Sequence, residues 1–320
     1  MSKTKFEKRK LTTQEIKNKF LFHYTEKFYN KWMSKYQVPE LNYQQQEYIF
    51  KRFWSIGSIA AIDVIINKGI QTLLEAGLIS KEDLGSNELV FVDWTPGARF
   101  NTYDYPTHAR AINKRGFKFI PNDELELDKE IVIIYAQKNH KSVFSSIECK
   151  LNELVDIEMK IRSARKAQSQ GWMFTGSSED EAKIKTLQDA MDDDEPYLFT
   201  TLEEVDKFKG VASGAPYITD KLEQERQKVE NDILTILGYN NVGVSEKKEH
   251  LTVNEVDANN EDIEASSESY TNLIQDGFNR IAKAFGKTLT LIDLNAKISD
   301  NKDDEDNEDI EDKEDDEDVQ

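Results

Sequence analysis

A single cysteine, Cys149, stands in 320 residues, so no intrachain disulfide can form and the chain suits a reducing compartment. The four histidines (His23, His108, His140 and His250) are scattered, without metal-ligand spacing or a nucleophile beside them. A Walker-type G-x-x-x-x-G-K-[ST] run is missing. The nearest candidate, Gly210 to Gly214, lacks the lysine and a preceding apolar strand. No apolar run reaches the roughly 18 residues of a membrane span, and Met1–Lys10 lacks the apolar stretch of a signal peptide. Carboxylates are plentiful, but none sits in a distinctive context. These absences argue against a catalytic centre, a resident metal, a cofactor and a membrane partner.

What is abundant is charge. Charged residues make up 32% of the chain and hydrophobic residues 38%, while aromatics at 10% suffice for a core. The length allows two domains, or one with extensions. The net charge of -19 is unevenly placed. Between Asp300 and Asp318 stand fourteen acidic residues and two lysines, a block expected to stay disordered, and the rest of the chain carries only about -7. Residues 1–36 run the other way, with ten basic residues against three glutamates. A basic head and an acidic tail imply two different electrostatic partners.

Along the chain, residues 1–12 read as a basic disordered arm. Thr12 or Thr13 can cap a first helix with Glu15 in its first turn, and Phe20, Leu21, Tyr24, Phe28 and Trp32 then recur near helical spacing, as core rather than a base-stacking platform. Pro39 is expected to end it. A second helix fits Tyr43–Trp54 and a third fits the apolar run Ile59–Ile66. Leu89–Val92, Lys118–Ile120 and Ile131–Tyr135 read as strands among the turn signals Pro96-Gly97, Pro106 and Pro121. From Phe144 to about Lys166 a narrow apolar stripe (Ile147, Leu151, Leu154, Ile157, Ile161) predicts a helix packed along one seam, with Asp156–Lys160 and Glu158–Arg162 as i,i+4 pairs. Gln168–Lys209 reads as a small β-α-β unit, with strands at Trp172–Phe174 and Tyr197–Thr200 around a helix at Ala182–Met191. A heavily charged helix follows, capped by Thr219 or Asp220 and stopped by Gly238. Asn240–Glu264 reads as loop and carries Lys247 and Lys248. Ser266–Phe285, stopped by Gly286, is the last helix, with a short strand at Thr288–Ile292.

The stretch from Ala215 through Gly238, Ser245–Glu249 and Asn254–Ser267 resembles the portal (upper collar, head–tail connector) proteins of small phi-29-like podophages. Phe22–Tyr24, Ile131–Tyr135 and Ser163–Gln168 add to the likeness, which spans most of residues 14–295. It implies an α+β, mainly α chain that assembles as a ring, twelve-fold in that family, around a channel for DNA packaging and ejection. The wing would comprise 13–143 and 261–298, the stem helices 144–169 and 209–238, the clip 170–208 and the channel loop 239–260. Lys221, Lys247 and Lys248 fall where the family has channel-lining lysines. Lys3, Lys5, Lys8, Arg9 and Lys10 fall where its basic arm meets nucleic acid, packaging RNA included. The implied partners are further copies, double-stranded DNA, the major capsid protein, the lower collar or tail protein and the packaging ATPase. The implied location is the virion vertex, after assembly in the host cytoplasm. Two features depart from the family pattern: Glu7 interrupts a short arm, and the acidic block from Asp300 onward is additional. The competing readings are a packaging ATPase or nuclease, opposed by the missing P-loop and metal ligands, and a non-ring nucleic-acid-binding or scaffold adaptor.

Overall fold

The computed structural model describes residues 11–64, 68–77, 87–112, 124–169, 172–175, 209–212, 217–239 and 253–295. Within them lie six helices: α1 Thr13–Lys35, α2 Tyr43–Ser55, α3 Lys68–Glu75, α4 Val143–Ser169, α5 Thr219–Ile236 and α6 Val253–Phe285. The strands are short: β1 Tyr36–Gln37, β2 Ser58–Asp63, β3 Leu89–Pro96, β4 His108–Ile112, β5 Leu125–Glu126, β6 Val132–Tyr135, β7 Trp172–Thr175, β8 Lys209–Ala212 and β9 Ile292–Asp293. This is the expected mainly helical α+β class. The chain divides into two compact units, one from Met1–Leu21 and Asn152–Glu230, the other from Phe22–Leu151 and Asn231–Gln320; the division falls inside α1, α4 and α5.

The second unit is built on an antiparallel sheet of order β5-β4-β3-β2-β6. Ala60 lies between Val92 of β3 and Ile133 of β6. Every residue of β2 is buried, whereas β3 alternates buried and half-buried positions. That burial explains the expected helix at Ile59–Ile66: the structure has β2 over Ser58–Asp63, and Ile65 and Ile66 lie outside the described residues. A strand covered on both faces shows no period of two, and its continuous apolar run reads equally well as a buried helix. Two buried carboxylates are paired with cations from outside their own strands: Asp93 of β3 with Arg52 of α2 at 2.9 Å, and Asp63 of β2 with Lys287 at 3.2 Å. Gly57 turns the chain from α2 into β2 at φ +92°. A Cβ there would meet Lys141 O at 2.1 Å, so only glycine fits.

An aromatic cluster fills the space around α1 and α2. Trp32 is wholly buried and meets Tyr36, Phe50, Trp54 and Tyr270 at centroid distances of 5.5 to 6.3 Å. Tyr24 and Phe28 are buried too, so the aromatic stripe is core, as expected. α2 starts with a capping box in which Gln45 N donates to Asn42 Oδ1 and Asn42 N to Gln45 Oε1. α6 approaches β6 so closely that a Cβ on Gly277 would stand 2.6 Å from Ile134 Cγ2. Cys149 on α4 is exposed.

In the first unit, α1 begins with a box in which Thr12 N donates to Glu15 Oε2 (2.8 Å) and Glu15 N to Thr12 Oγ1 (3.2 Å). The Thr12 N–H, and after it the Thr12 hydroxyl, which donates to the same Oε2 at 3.0 Å, hold the Glu15 carboxyl below its ordinary pKa. β7 pairs antiparallel with β8, so Lys209–Ala212, where the expected helix 209–238 begins, is strand. The expected strands at Tyr197–Thr200 and Lys118–Ile120 and helix at Ala182–Met191 lie outside the described residues.

Three boundaries differ from the sequence reading. α1 stops at Lys35, before Pro39, because the chain enters β1. α6 begins at Val253, so 253–264, read as loop, is helix. Its asparagines and carboxylates disguise the period, yet Glu255, Ala258, Glu261, Glu264 and Ala265 are good helix formers. In place of the expected strand at Thr288–Ile292 stands the two-residue β9, which shares only Ile292 with it and pairs with β1.

Candidate nucleic-acid interface

The long charged helix owes its form to a narrow seam. In the first unit Leu154, Val155, Ile157 and Ile161 of α4 are buried, and so are Leu222 and Val229 of α5. The polar remainder of the two helices is laced by ion pairs. Arg165 reaches Glu223 at 2.7 Å, and Arg226 reaches Glu223 at 2.7 Å and both Glu158 and Glu230 at 3.6 Å. Lys17 of α1 holds Asp156 at 2.9 Å. Asp156 and Glu158, read from the sequence as partners of Lys160 and Arg162, meet cations of α1 and α5, Lys17 and Arg226. Each partly exposed pair contributes about 0–1 kcal/mol, and the alternating chain of charges fixes geometry more than it adds stability.

Lys221 is exposed in the first turn of α5, and Tyr217 Oη donates to Asp220 there at 2.6 Å. Lys247, Lys248, Lys3, Lys5, Lys8, Arg9 and Lys10 lie outside the described residues. Of the eight expected nucleic-acid contacts, Lys221 is thus the one among the described residues.

At the other end of α5, in the second unit, Gly238 adopts φ +71°. Gly238 N donates to Thr235 O (2.9 Å) and Tyr239 N to Leu234 O (2.8 Å), which makes a Schellman stop. The remaining carbonyls find a cation that nothing in the sequence marks. Lys35, wholly buried at the end of α1, donates to Leu237 O (3.3 Å), Gly238 O (2.7 Å) and Ser267 Oγ (2.9 Å), with Asp293 of β9 at 3.4 Å. Ser267 Oγ in turn donates to Asp293 Oδ2 at 2.7 Å. Tyr239 Oη donates to Lys31 O, and the Lys31 and Lys35 ammoniums lie 5.1 and 5.4 Å from its ring. Burial pushes the Lys35 pKa down against the upward pull of Asp293, and pushes the Tyr239 hydroxyl up to about 12.

Among the described residues no group of three or more His, Cys, Asp or Glu could hold a metal ion, and no helix is long and apolar enough to cross a membrane. The described chain is a mainly helical α+β protein. The family model described as Phage Connector (GP10) matches residues 5–298, and the chain belongs to that family. It is a structural protein of the portal, head–tail connector kind, located at the capsid vertex. Two solved structures are also similar to it. One is the portal and tail of native bacteriophage P68, at 13% identity and a TM-score of 0.42, over 88% of this chain and 91% of that one. The other is an HK97 family phage portal protein from Corynebacterium diphtheriae, at 9% identity and a TM-score of 0.46, over 91% and 99%. The assignment rests on the family match.

Proposed function

We propose that copies of this chain close into a ring, twelve-fold as in the portals it resembles, with double-stranded DNA passing through the centre during packaging and ejection. Lys221, Lys247 and Lys248 face that DNA, and Lys3, Lys5, Lys8, Arg9 and Lys10 form an arm for nucleic acid, packaging RNA among the candidates. The ring meets the major capsid protein, the lower collar or tail protein and the packaging ATPase, and it forms in the host cytoplasm before entering the virion.

The observation that supports this best is the α4–α5 pair: one narrow apolar seam and a charged remainder. A helix pair of this kind suits lateral contact between like subunits, because a heterologous contact that closes makes a ring. An acidic wall repels DNA and limits sticking, while sparse rings of lysine touch phosphates without reading sequence. The mass of the native protein tests the ring. Twelve chains of 37.0 kDa weigh about 444 kDa, and end-on images then show a central hole. A stable monomer or dimer that binds DNA tightly through residues 1–36 overturns the ring in favour of an adaptor. For the lysines, Lys247→Ala with Lys248→Ala is expected to impair packaging, DNA retention or ejection. If all three are unchanged, those residues have no channel role.

A further inference from the structure

We propose that Lys35 is a positioning residue that fixes the stop of α5 against α6 and β9. Its one ammonium joins three parts of the fold besides its own helix: the carbonyls of the turn that ends α5 (Leu237, Gly238), the Ser267 hydroxyl of α6 and the Asp293 carboxylate of β9. A helix ends with carbonyls that need donors and with partial negative charge that favours a cation. Lys35 answers both needs from a site closed to water, where an ammonium persists only when it is paired and hydrogen-bonded. One turn earlier on α1, Lys31 accepts the Tyr239 hydroxyl through its carbonyl and sets its ammonium over the same ring. The stop of α5 is therefore clasped twice from α1.

The room around the ammonium is fully used. A Cβ on Gly238 would come within 2.7 Å of Lys35 Nζ and 2.8 Å of the Ser267 backbone. Asp293 ties β9 to the same cation while its backbone pairs with Tyr36. Lys35 thus links the stop of α5, the middle of α6 and the C-terminal strand, and loss of its charge frees all three together. Its functional meaning rests on the proposed DNA role of Lys247 and Lys248; its geometry does not.

The test is hydrogen exchange on the full-length protein in its native assembly, comparing Lys35→Met, Lys35→Arg and Asp293→Asn with the wild type. The Leu237, Gly238 and Tyr239 amides are expected to exchange about tenfold or more faster in Lys35→Met, while Ala60 and Ile62 in β2 stay within about twofold. Lys35→Arg keeps the charge and should recover much of the protection, and Asp293→Asn should fall between. Equal acceleration at α5 and β2 would show a general packing role and overturn the proposal, as would unchanged exchange at α5. Should Lys35→Met fail to assemble, Asp293→Asn gives the same comparison. DNA retention separates the two readings. Faster α5 exchange with a silent Lys247→Ala/Lys248→Ala pair leaves the positioning intact and removes the channel role. Slow exchange with an impaired lysine pair does the reverse.

Discussion

Tyr270 and Tyr239 hold their phenol protons more tightly in the folded chain than a free tyrosine does, each pushed up to about 12, with burial as the largest cause. Tyr36 shifts the same way. A raised folded pKa means that the folded state keeps protons the unfolded state has released. The stability it contributes is intact below about pH 10 and is lost as pH rises through about 12. Lys35 acts oppositely, because its lowered pKa makes the unfolded chain the better proton binder, but that share ends near 10.5. Denaturant unfolding between pH 9 and 12 should therefore show stability falling above about pH 10.5, and Tyr270→Phe should flatten the fall. Gly277 gives a second residue-scale outcome. Gly277→Ala gains about 1 kcal/mol of helix propensity but overpacks Ile134, so a net loss of about 0–2 kcal/mol is expected. Adding Ile134→Ala should cost less than the sum of the two single changes in chemical denaturation. None of this is legible in the sequence. Lys35 looks like any lysine at a helix end, and Gly277 like a weak point in α6, because burial by distant segments leaves no local pattern.

Elements are more legible than their surroundings. α2, α4 and α5 stand close to where periodicity, caps and the Gly238 stop put them, since those signals are local. β2 passes for a helix because a doubly covered strand and a buried helix share one composition. The start of α6 passes for a loop because a polar helical turn carries the same residues. The α4–α5 seam should carry most of the pair's stability. Ile161→Ala is expected to cost about 2–5 kcal/mol, against less than about 1 kcal/mol for Arg226→Gln. Comparable losses from the two substitutions in thermal or denaturant unfolding would mean that the ion-pair chain, not the seam, holds the helices.

For the whole molecule, family membership says what kind of particle part this is, while the charge asymmetry is this chain's own. The fourteen acidic residues between Asp300 and Asp318 account for most of the net charge of -19, yet every ion pair described above lies upstream of them. Removing residues 300–320 should therefore leave the melting temperature within about 2 °C and bring the net charge to about -7. A larger drop in a thermal scan would show that the tail is bound to the folded units. Ring closure is legible only through resemblance, because subunit contacts leave no period of their own in a single chain.

The lone thiol on α4 offers a way to count. Cys149 is exposed and has no competitor anywhere in the chain, so a maleimide dye attaches once per polypeptide without any engineered site. Stepwise photobleaching of single labelled particles then reads the copy number directly, one fluorophore at a time.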